Sequence, residues 1–315
     1  MPDQLGPALT NPMFSRIGLI GLGLIGSSLA RGIKRMNLSS AITAIDADAA
    51  VCERVKALAL ADHVTQNAAE GVKDCDLVIL CVPVGACGPL AQIIGPHLKQ
   101  GAILSDVGSV KTAVVRAVTP HLPESVHFIP AHPVAGTEYS GPDAGFSTLF
   151  HNRWCILTPP EQVDEQQSDR LQKFWEGLGA NVEIMTPERH DLVLAVTSHL
   201  PHLIAYNIVG TAADLETVTQ SEVIKFSAGG FRDFTRIAAS DPTMWRDVFL
   251  NNKQAVLEML GRFTEDLALL QRAIRWGDGE TLFNTFTRTR AIRRSIIDLG
   301  QETAAPDFGR RSPDE

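Results

Sequence analysis

Histidine is the side chain whose unperturbed pKa, near ~6.5, lets it take and return protons close to neutrality. His132 sits in the stretch I-P-A-H-P-V-A-G-T-E, Ile129–Glu138, held between prolines and a glycine rather than inside a periodic pattern. It follows a short apolar run, Val126–Ile129, that has the composition of a strand end. Ligands of open α/β sheets bind beyond the carboxyl ends of the strands, so this position suits a proton acceptor in a cleft. A buried histidine in a structural turn is the competing reading, and His132 taken alone does not decide between them.

Other chemistry-bearing residues lie on both sides of it. In S-D-V-G-S-V-K, Ser105 to Lys111, a strand hands over to a helix through a glycine. Ser109 there is a helix N-cap, a ligand contact, or both. Downstream, T-S-H-L-P-H (Thr197–His202) puts His199 and His202 three positions apart, on one helical face. No H-E-x-x-H and no carboxylate at a suitable offset accompanies them, which argues against a metal. Pro201 should kink that helix and free backbone carbonyls, leaving the two histidines as ligand contacts or an interhelix pair. In S-A-G-G-F-R-D-F-T-R-I, Ser227 to Ile237, Arg232 and Arg236 are four apart. One is expected to pair with Asp233 or Asp241 at the surface, where such contacts are worth little. The other suits a buried carboxylate clamp, because guanidinium makes two parallel charge-assisted bonds. S-D-P-T-M-W-R-D, Ser240 to Asp247, caps a further helix that carries Trp245, an aromatic more often found in a core than on a ligand.

The elements that must position these groups begin with an apolar run, Arg16–Gly21, a buried parallel strand. G-L-G-L-I-G follows, comprising Gly21, Leu22, Gly23, Leu24, Ile25 and Gly26, and then a helix over Ser27–Met36. Ile42–Ile45 is the next strand, ended by Asp46, 20 positions after Gly26. That is the layout of a dinucleotide site. Gly21 permits the tight turn, Gly23 lets the backbone approach a pyrophosphate, and Gly26 allows close helix–strand packing. The helix N-terminus offers free N–H groups to the phosphates. Asp46 would accept from the ribose hydroxyls and repel a 2′-phosphate, favouring NAD over NADP. Asp76–Val82 is a continuous strand stopped by Pro83, and Val82 and Pro83 should face the nicotinamide half. Helices over Asp48–Leu60 and Gly85–Leu98 and a strand at Ala102–Leu104 continue the alternation. The expected fold is therefore a Rossmann-type, doubly wound, mainly parallel sheet. Arg153–Leu157 and Val182–Met185 read as added strands flanking a helix, Gln162–Leu178.

At Thr186–Asp191 the pattern changes to a helix start: Thr186 as cap, Pro187 first, acid next. From there the chain reads as helices. We expect a loose leader at 1–14, a dinucleotide-binding domain at 15–187, a helical substrate and dimerisation domain at 188–300 and a tail at 301–315. The length of 315 residues fits two domains. A net charge of −8 argues against bulk binding to nucleic acid or an anionic membrane. Five cysteines without a C-x-x-C pair suit a reducing cytoplasm rather than zinc or disulfides. No signal peptide is legible, and no apolar run reaches the ~18 residues that span a bilayer.

Taken together, G-L-G-L-I-G, S-D-V-G-S-V-K, A-H-P-V-A-G-T-E, S-H-L-P-H and F-T-R-I-A-A-S-D-P-T-M-W-R-D resemble, in this order, the prephenate/arogenate (cyclohexadienyl) dehydrogenases. The similarity covers roughly residues 15–300. It implies oxidative decarboxylation with NAD(P) in tyrosine biosynthesis, giving 4-hydroxyphenylpyruvate from prephenate or tyrosine from arogenate. It implies His132 as the acceptor of the C4 hydroxyl proton and Ser109 as the residue orienting it and the cofactor. Arg236 would bind a substrate carboxylate, with His199 and His202 beside the substrate side chain. Trp245 would lie near a partner subunit's site, in a homodimer. An acid that arogenate-specific relatives carry near the A-G-G turn is replaced here by Gly230, which leans towards prephenate or both, although Asp233 is three residues away. The apolar stretch Val248–Phe263 offers a face for a second subunit. Inhibition by tyrosine is chemically reasonable, since product resembles substrate. Two other readings stand beside this one. A dehydrogenase of the 3-hydroxyacid class would need a lysine where T-S-H-L-P-H offers histidines. A non-catalytic NAD-sensing module would have no need of His132, Ser109 and Arg236 together.

Overall fold

A computed structural model describes residues 6–137, 139–219 and 228–298. Glu138 and Ser227, the first five residues of the expected leader and the tail at 301–315 lie outside the described residues. The chain divides into two compact units, Met1–Val256 and Leu257–Glu315.

The first unit opens on β1 (Phe14–Ile20), α1 (Leu24–Met36) and β2 (Ser39–Ile45). The leader is not loose throughout. Leu9 and Met13 donate backbone hydrogen bonds to Met36 and Leu38, and the Asn37 amide donates to the Leu9 carbonyl. There follow α2 (Ala49–Ala57), β3 (His63–Thr65), α3 (Ala68–Gly71), β4 (Leu77–Leu80), α4 (Val84–Ile94), β5 (Ile103–Asp106), α5 (Thr112–Val118) and β6 (His127–Phe128). Six strands pair in the order β3-β2-β1-β4-β5-β6, every pair parallel. This is the doubly wound topology, with its switch point between β1 and β4. Alternation along a strand sends successive side chains to opposite faces. In β4, Leu77 and Ile79 join one core with Leu19, Leu29 and Ile33, while Val78 and Leu80 join another with Val84 and Leu104. Both faces are therefore covered, as an all-parallel sheet requires.

The chain then leaves this sheet. β7 (Ala131–Pro133), β8 (Trp154–Leu157) and β9 (Asn181–Ile184) form a separate three-stranded sheet, with α6 (Glu165–Gly177) between β8 and β9. β7 runs antiparallel to β8, with His132 opposite Ile156. His132 thus lies in a short strand of its own, not in a turn beyond β6. The helical part starts at α7 (Pro187–Leu194), where the Thr186 hydroxyl accepts the Arg189 N–H at 3.3 Å. A wider π turn, Ala195–His199, leads into α8 (Leu200–Thr219). It falls where Pro201 has no N–H to give, the interruption expected there. Next come α9 (Gly229–Thr235) and α10 (Pro242–Asn251), capped by the Asp241 carboxylate.

By length and composition, Pro187–Asp214 is apolar enough to cross a membrane. This corrects the expectation of no such segment: its charges, Glu188, Arg189, Asp191 and Asp214, lie at its two ends and leave a long apolar window between them. Val248–Phe263 is not one helix either. α10 ends at Asn251, Asn252 caps it, and α11 (Lys253–Trp276) begins afresh. Val248 is buried, whereas Leu257 is exposed. The second unit consists of most of α11 and of α12 (Gly279–Asp298), joined through Gly277 at φ +67°.

Candidate active site

Register places the site. Ile20, Leu80 and Asp106 are neighbours across β1, β4 and β5, so the loops that follow these strands emerge side by side. They are the glycine loop, Val82–Pro83, and the segment carrying Ser109. Gly21 has φ +93°, and a Cβ there would meet the Cys81 carbonyl oxygen at 2.5 Å. A Cβ on Gly26 would come within 2.0 Å of the Gly21 oxygen. Nothing lies within 4 Å of a Cβ built on Gly23. Gly23 caps α1 with no side-chain hydrogen bond and no acid in the first turn, where Leu24 and Ile25 sit. The opening turn is therefore free to receive an anion. The Asp46 carboxylate accepts the N–H groups of Leu22 (2.8 Å) and Asp48 (3.0 Å), which holds it against the loop. Val82 is half-buried and Pro83 exposed at the head of α4. These residues fit a dinucleotide.

The same edge carries His132. The Asp106 carboxylate, at the end of β5, accepts the N–H groups of Gly108 (2.8 Å) and Ala131 (3.3 Å). The Lys111 ammonium ion-pairs with Asp106 and donates to the Ala131 carbonyl at 2.6 Å. Both charged side chains are fully buried. This pair ties β7 to the end of β5 and delivers His132 to the cofactor edge.

Sequence reasoning missed the groups behind His132. Its Nδ1 lies 2.8 Å from His190 Nε2, and His190 Nδ1 lies 2.9 Å from Asp191 Oδ1. Asp191 also accepts the N–H groups of Lys111 (2.8 Å) and Thr112 (2.9 Å), so it caps α5 from a distant helix. This overturns Ser109 as the cap: α5 starts at Thr112, and its acceptor is Asp191. The one legible signal was H-D at the start of α7, which helix-start chemistry alone explained. Among the described residues no hydrogen bond is made by His132 Nε2, the nitrogen turned away from His190. No hydrogen bond joins Ser109 to His132 among them; Ser109 is half-buried, with its carbonyl beside His199.

Asn252 organises the next layer. Its amide nitrogen donates to the Asp191 carbonyl (2.8 Å) and lies 3.0 Å from His199 Nδ1. A carbonyl can only accept, so the group facing it is the amide NH2, and His199 Nδ1 accepts the second proton. His199 then carries its own proton on Nε2, which is buried without a partner among the described residues. The Trp245 ring lies 6.0 Å from His199, and its Nε1–H is likewise buried and unpaired. His202 stacks on Trp245 at 3.7 Å and donates from Nδ1 to the Ser198 carbonyl. Two orphaned donors on adjacent rings are costly unless a ligand oxygen meets them. Trp245 is 6% exposed and packs within its own chain. Arg236 is exposed, not a buried clamp, at the head of a 3-10 turn; its charge acts on His202. Arg232 pairs with Asp233 at the surface, at 3.6 Å.

Burial dominates the electrostatics. It pushes the His132 pKa well below the usual value, helped by His190, Lys111 and His199. Burial also lowers His190, partly offset by Asp191, and brings His199 down to about 4. Burial opposes the Asp191 charge, but donors from His190, Lys111 and Thr112 outweigh it and hold that carboxyl below its ordinary range. At neutral pH the site therefore holds uncharged imidazoles against a fixed carboxylate.

Comparison with known proteins agrees with this geometry. Residues 29–184 match the family model described as the prephenate dehydrogenase nucleotide-binding domain, and residues 186–288 its dimerization domain. A cyclohexadienyl dehydrogenase of Zymomonas mobilis is 42% identical over 90% of this chain and 97% of its own. The chain belongs to the prephenate dehydrogenase family. A Bacillus subtilis prephenate dehydrogenase is 35% identical, covering 95% of this chain and 80% of its own. The solved prephenate dehydrogenase from A. aeolicus, in complex with hydroxyphenyl propionate and NAD+, superposes with a TM-score of 0.84. It is 33% identical over 90% of this chain and 98% of that one.

Proposed function

We propose that this prephenate dehydrogenase family member carries out NAD-dependent oxidative decarboxylation of prephenate, arogenate or both, with His132 as the proton acceptor. The observation that carries the assignment of roles is the placing of His132 Nε2, without a hydrogen-bond partner among the described residues, at the same sheet edge as the glycine cradle. Bound NAD supplies the hydride acceptor for the ring carbon C4. His132 takes the C4 hydroxyl proton as that carbon gains carbonyl character. It returns the proton to the same oxygen once the ring carboxylate leaves as CO2 and its bonding pair enters the newly aromatic ring. His132 therefore borrows a proton and gives it back, with no net uptake. His199 Nε2–H and Trp245 Nε1–H suit acceptor oxygens of the substrate, with His202 stacked behind them. Arg236 serves a substrate carboxylate from the rim, and Ser109 lies between cofactor and His199. The division near residue 187 separates the nucleotide part from the helical substrate part, a reading supported by the helix start at Pro187 and by the limits of the two family matches. Following NADH absorbance with prephenate, with arogenate and with neither tests the activity and ranks the substrates. Flat traces with both would favour an NAD-sensing module.

NAD over NADP rests on Asp46, whose two oxygens are held at the ribose end of the loop. Asp46→Ser removes the charge that repels a 2′-phosphate. The preference for NAD, as a ratio of kcat/KM values, should then fall by roughly 10- to 100-fold. An unchanged ratio would assign selectivity elsewhere.

A homodimer is the second part of this reading. In the second unit Ile274, Trp276, Phe283 and Phe286 are 56–78% exposed. Such apolar exposure marks an association surface. Light scattering should give twice the chain mass, and Phe283→Glu with Trp276→Glu should halve it. A wild-type monomer would refute the assignment.

A further inference from the structure

We propose that His190 and Asp191 are positioning residues that hold His132 in the tautomer protonated on Nδ1, so that Nε2 is its bare acceptor nitrogen. This rests on His132 acting as the acceptor. The inference follows proton by proton. An ionised carboxylate can only accept. Asp191 accepts from two backbone N–H groups, Lys111 and Thr112, one on each oxygen. The third contact, at Oδ1, must then be His190 donating from Nδ1. A neutral His190 with its proton on Nδ1 presents a bare Nε2. His132 Nδ1 stands 2.8 Å away. Two bare nitrogens at that separation would repel, so His132 Nδ1 carries the proton. The lone pair of neutral His132 is left on Nε2, the nitrogen without a hydrogen-bond partner among the described residues.

The arrangement matters because imidazole in water favours the opposite tautomer, with the proton on Nε2. Left to itself, His132 would present an N–H where the reaction needs a lone pair. A hydrogen bond to the second nitrogen sets which nitrogen reacts, as at carboxylate–histidine pairs elsewhere. Here the carboxylate acts through an intervening imidazole. The pair is rigid: Asp191 is anchored by capping α5, its carbonyl is held by Asn252, and His190 is fully buried. The charged and titratable groups facing His132 are His190, Lys111 and His199, with Asp106 and Asp191 behind them. When His132 holds the borrowed proton, Asp191 can offset that cation through His190, while Asp106 is already engaged by Lys111.

The test is a two-bond 1H–15N correlation spectrum of the 15N-histidine-labelled protein at neutral pH, with His132 assigned through His132→Asn. The expected result is an N–H resonance at Nδ1 and a bare-nitrogen resonance at Nε2. The reverse pattern overturns the inference whether or not any variant folds. His190→Leu removes the acceptor. It should shift His132 towards the Nε2–H form and lower kcat by about 100-fold with KM for NAD unchanged. His190→Gln, whose amide oxygen can accept from Nδ1, should restore the tautomer and at least a tenfold share of the lost kcat. A His190→Leu protein with a wild-type His132 spectrum and kcat within about threefold of wild type would also overturn it. Failure of the underlying reading looks different: His132→Asn would stay active, whatever the tautomer.

Discussion

His132→Asn should lower kcat by roughly 10²- to 10⁴-fold, the range that a positioned general base contributes. Asparagine occupies similar space and can still donate towards His190, so β7 should stay paired to β8 and NAD binding should be kept. A loss in kcat with little change in the dissociation constant for NAD is the signature of a group acting at the reacting atoms. The pH profile supplies a second check. As a proton acceptor His132 would work only when neutral. Burial, then the charges of His190, Lys111 and His199, depress its pKa well below the ordinary value. Protonation is therefore resisted as the pH falls through ~6.5, the free imidazole range. Wild-type turnover should stay level through that range and fall only at more acid pH. That acid limb should be missing from the residual activity of His132→Asn. A wild-type break at ~6.5 would place His132 in a solvated environment this structure does not give it.

Lys111→Met should be the most damaging single change to the fold. Its ammonium and the Asp106 carboxylate are both fully buried, and Lys111 also binds the Ala131 carbonyl beside His132. Removing one partner of a buried pair leaves an uncompensated charge, costing about 3–5 kcal/mol. For a unit of this size that is a Tm loss on the order of 10 °C. The double variant Asp106→Leu, Lys111→Met leaves no orphaned charge, only the Gly108 and Ala131 N–H groups without their acceptor and the Ala131 carbonyl without its Lys111 donor. It should be more stable than Lys111→Met alone. A thermal-melt cycle over the four proteins measures the coupling. Additive losses would show that the two side chains are energetically independent. Activity should fall in both variants, because the pair positions the strand that carries His132.

Much of the nucleotide half was legible because its rules are local. A glycine turn, a helix start, an apolar strand and an acid at a set distance are each settled within a few residues of chain. Gly21, Gly26 and Asp46 have the geometry their types suggested. Thr186 and Pro187 begin a helix for the same reason. His132 stood out for its setting, but what surrounds it did not. Lys111 and Asp106 passed as ordinary members of a strand–helix turn, and His190–Asp191 as the polar start of a helix. Ser109 looked like the cap of α5, since a sequence shows the nearest hydroxyl and not a carboxylate arriving from another helix. Val248–Phe263 looked continuous because nothing local reveals that Asn252 is committed to Asp191 and His199.

The residues by themselves determined the doubly wound sheet and the dinucleotide cradle and singled out His132 by its setting, because periodicity, turn chemistry and spacing act over short stretches. Tertiary structure alone decided which nitrogen of that histidine is left bare. It also decided which buried charges hold it at the sheet edge and which donors wait unpaired beside it. His132 and His190 are 58 residues apart, and Lys111 and Asp191 are 80 apart. Partners that distant are selected by packing, and no local pattern records them.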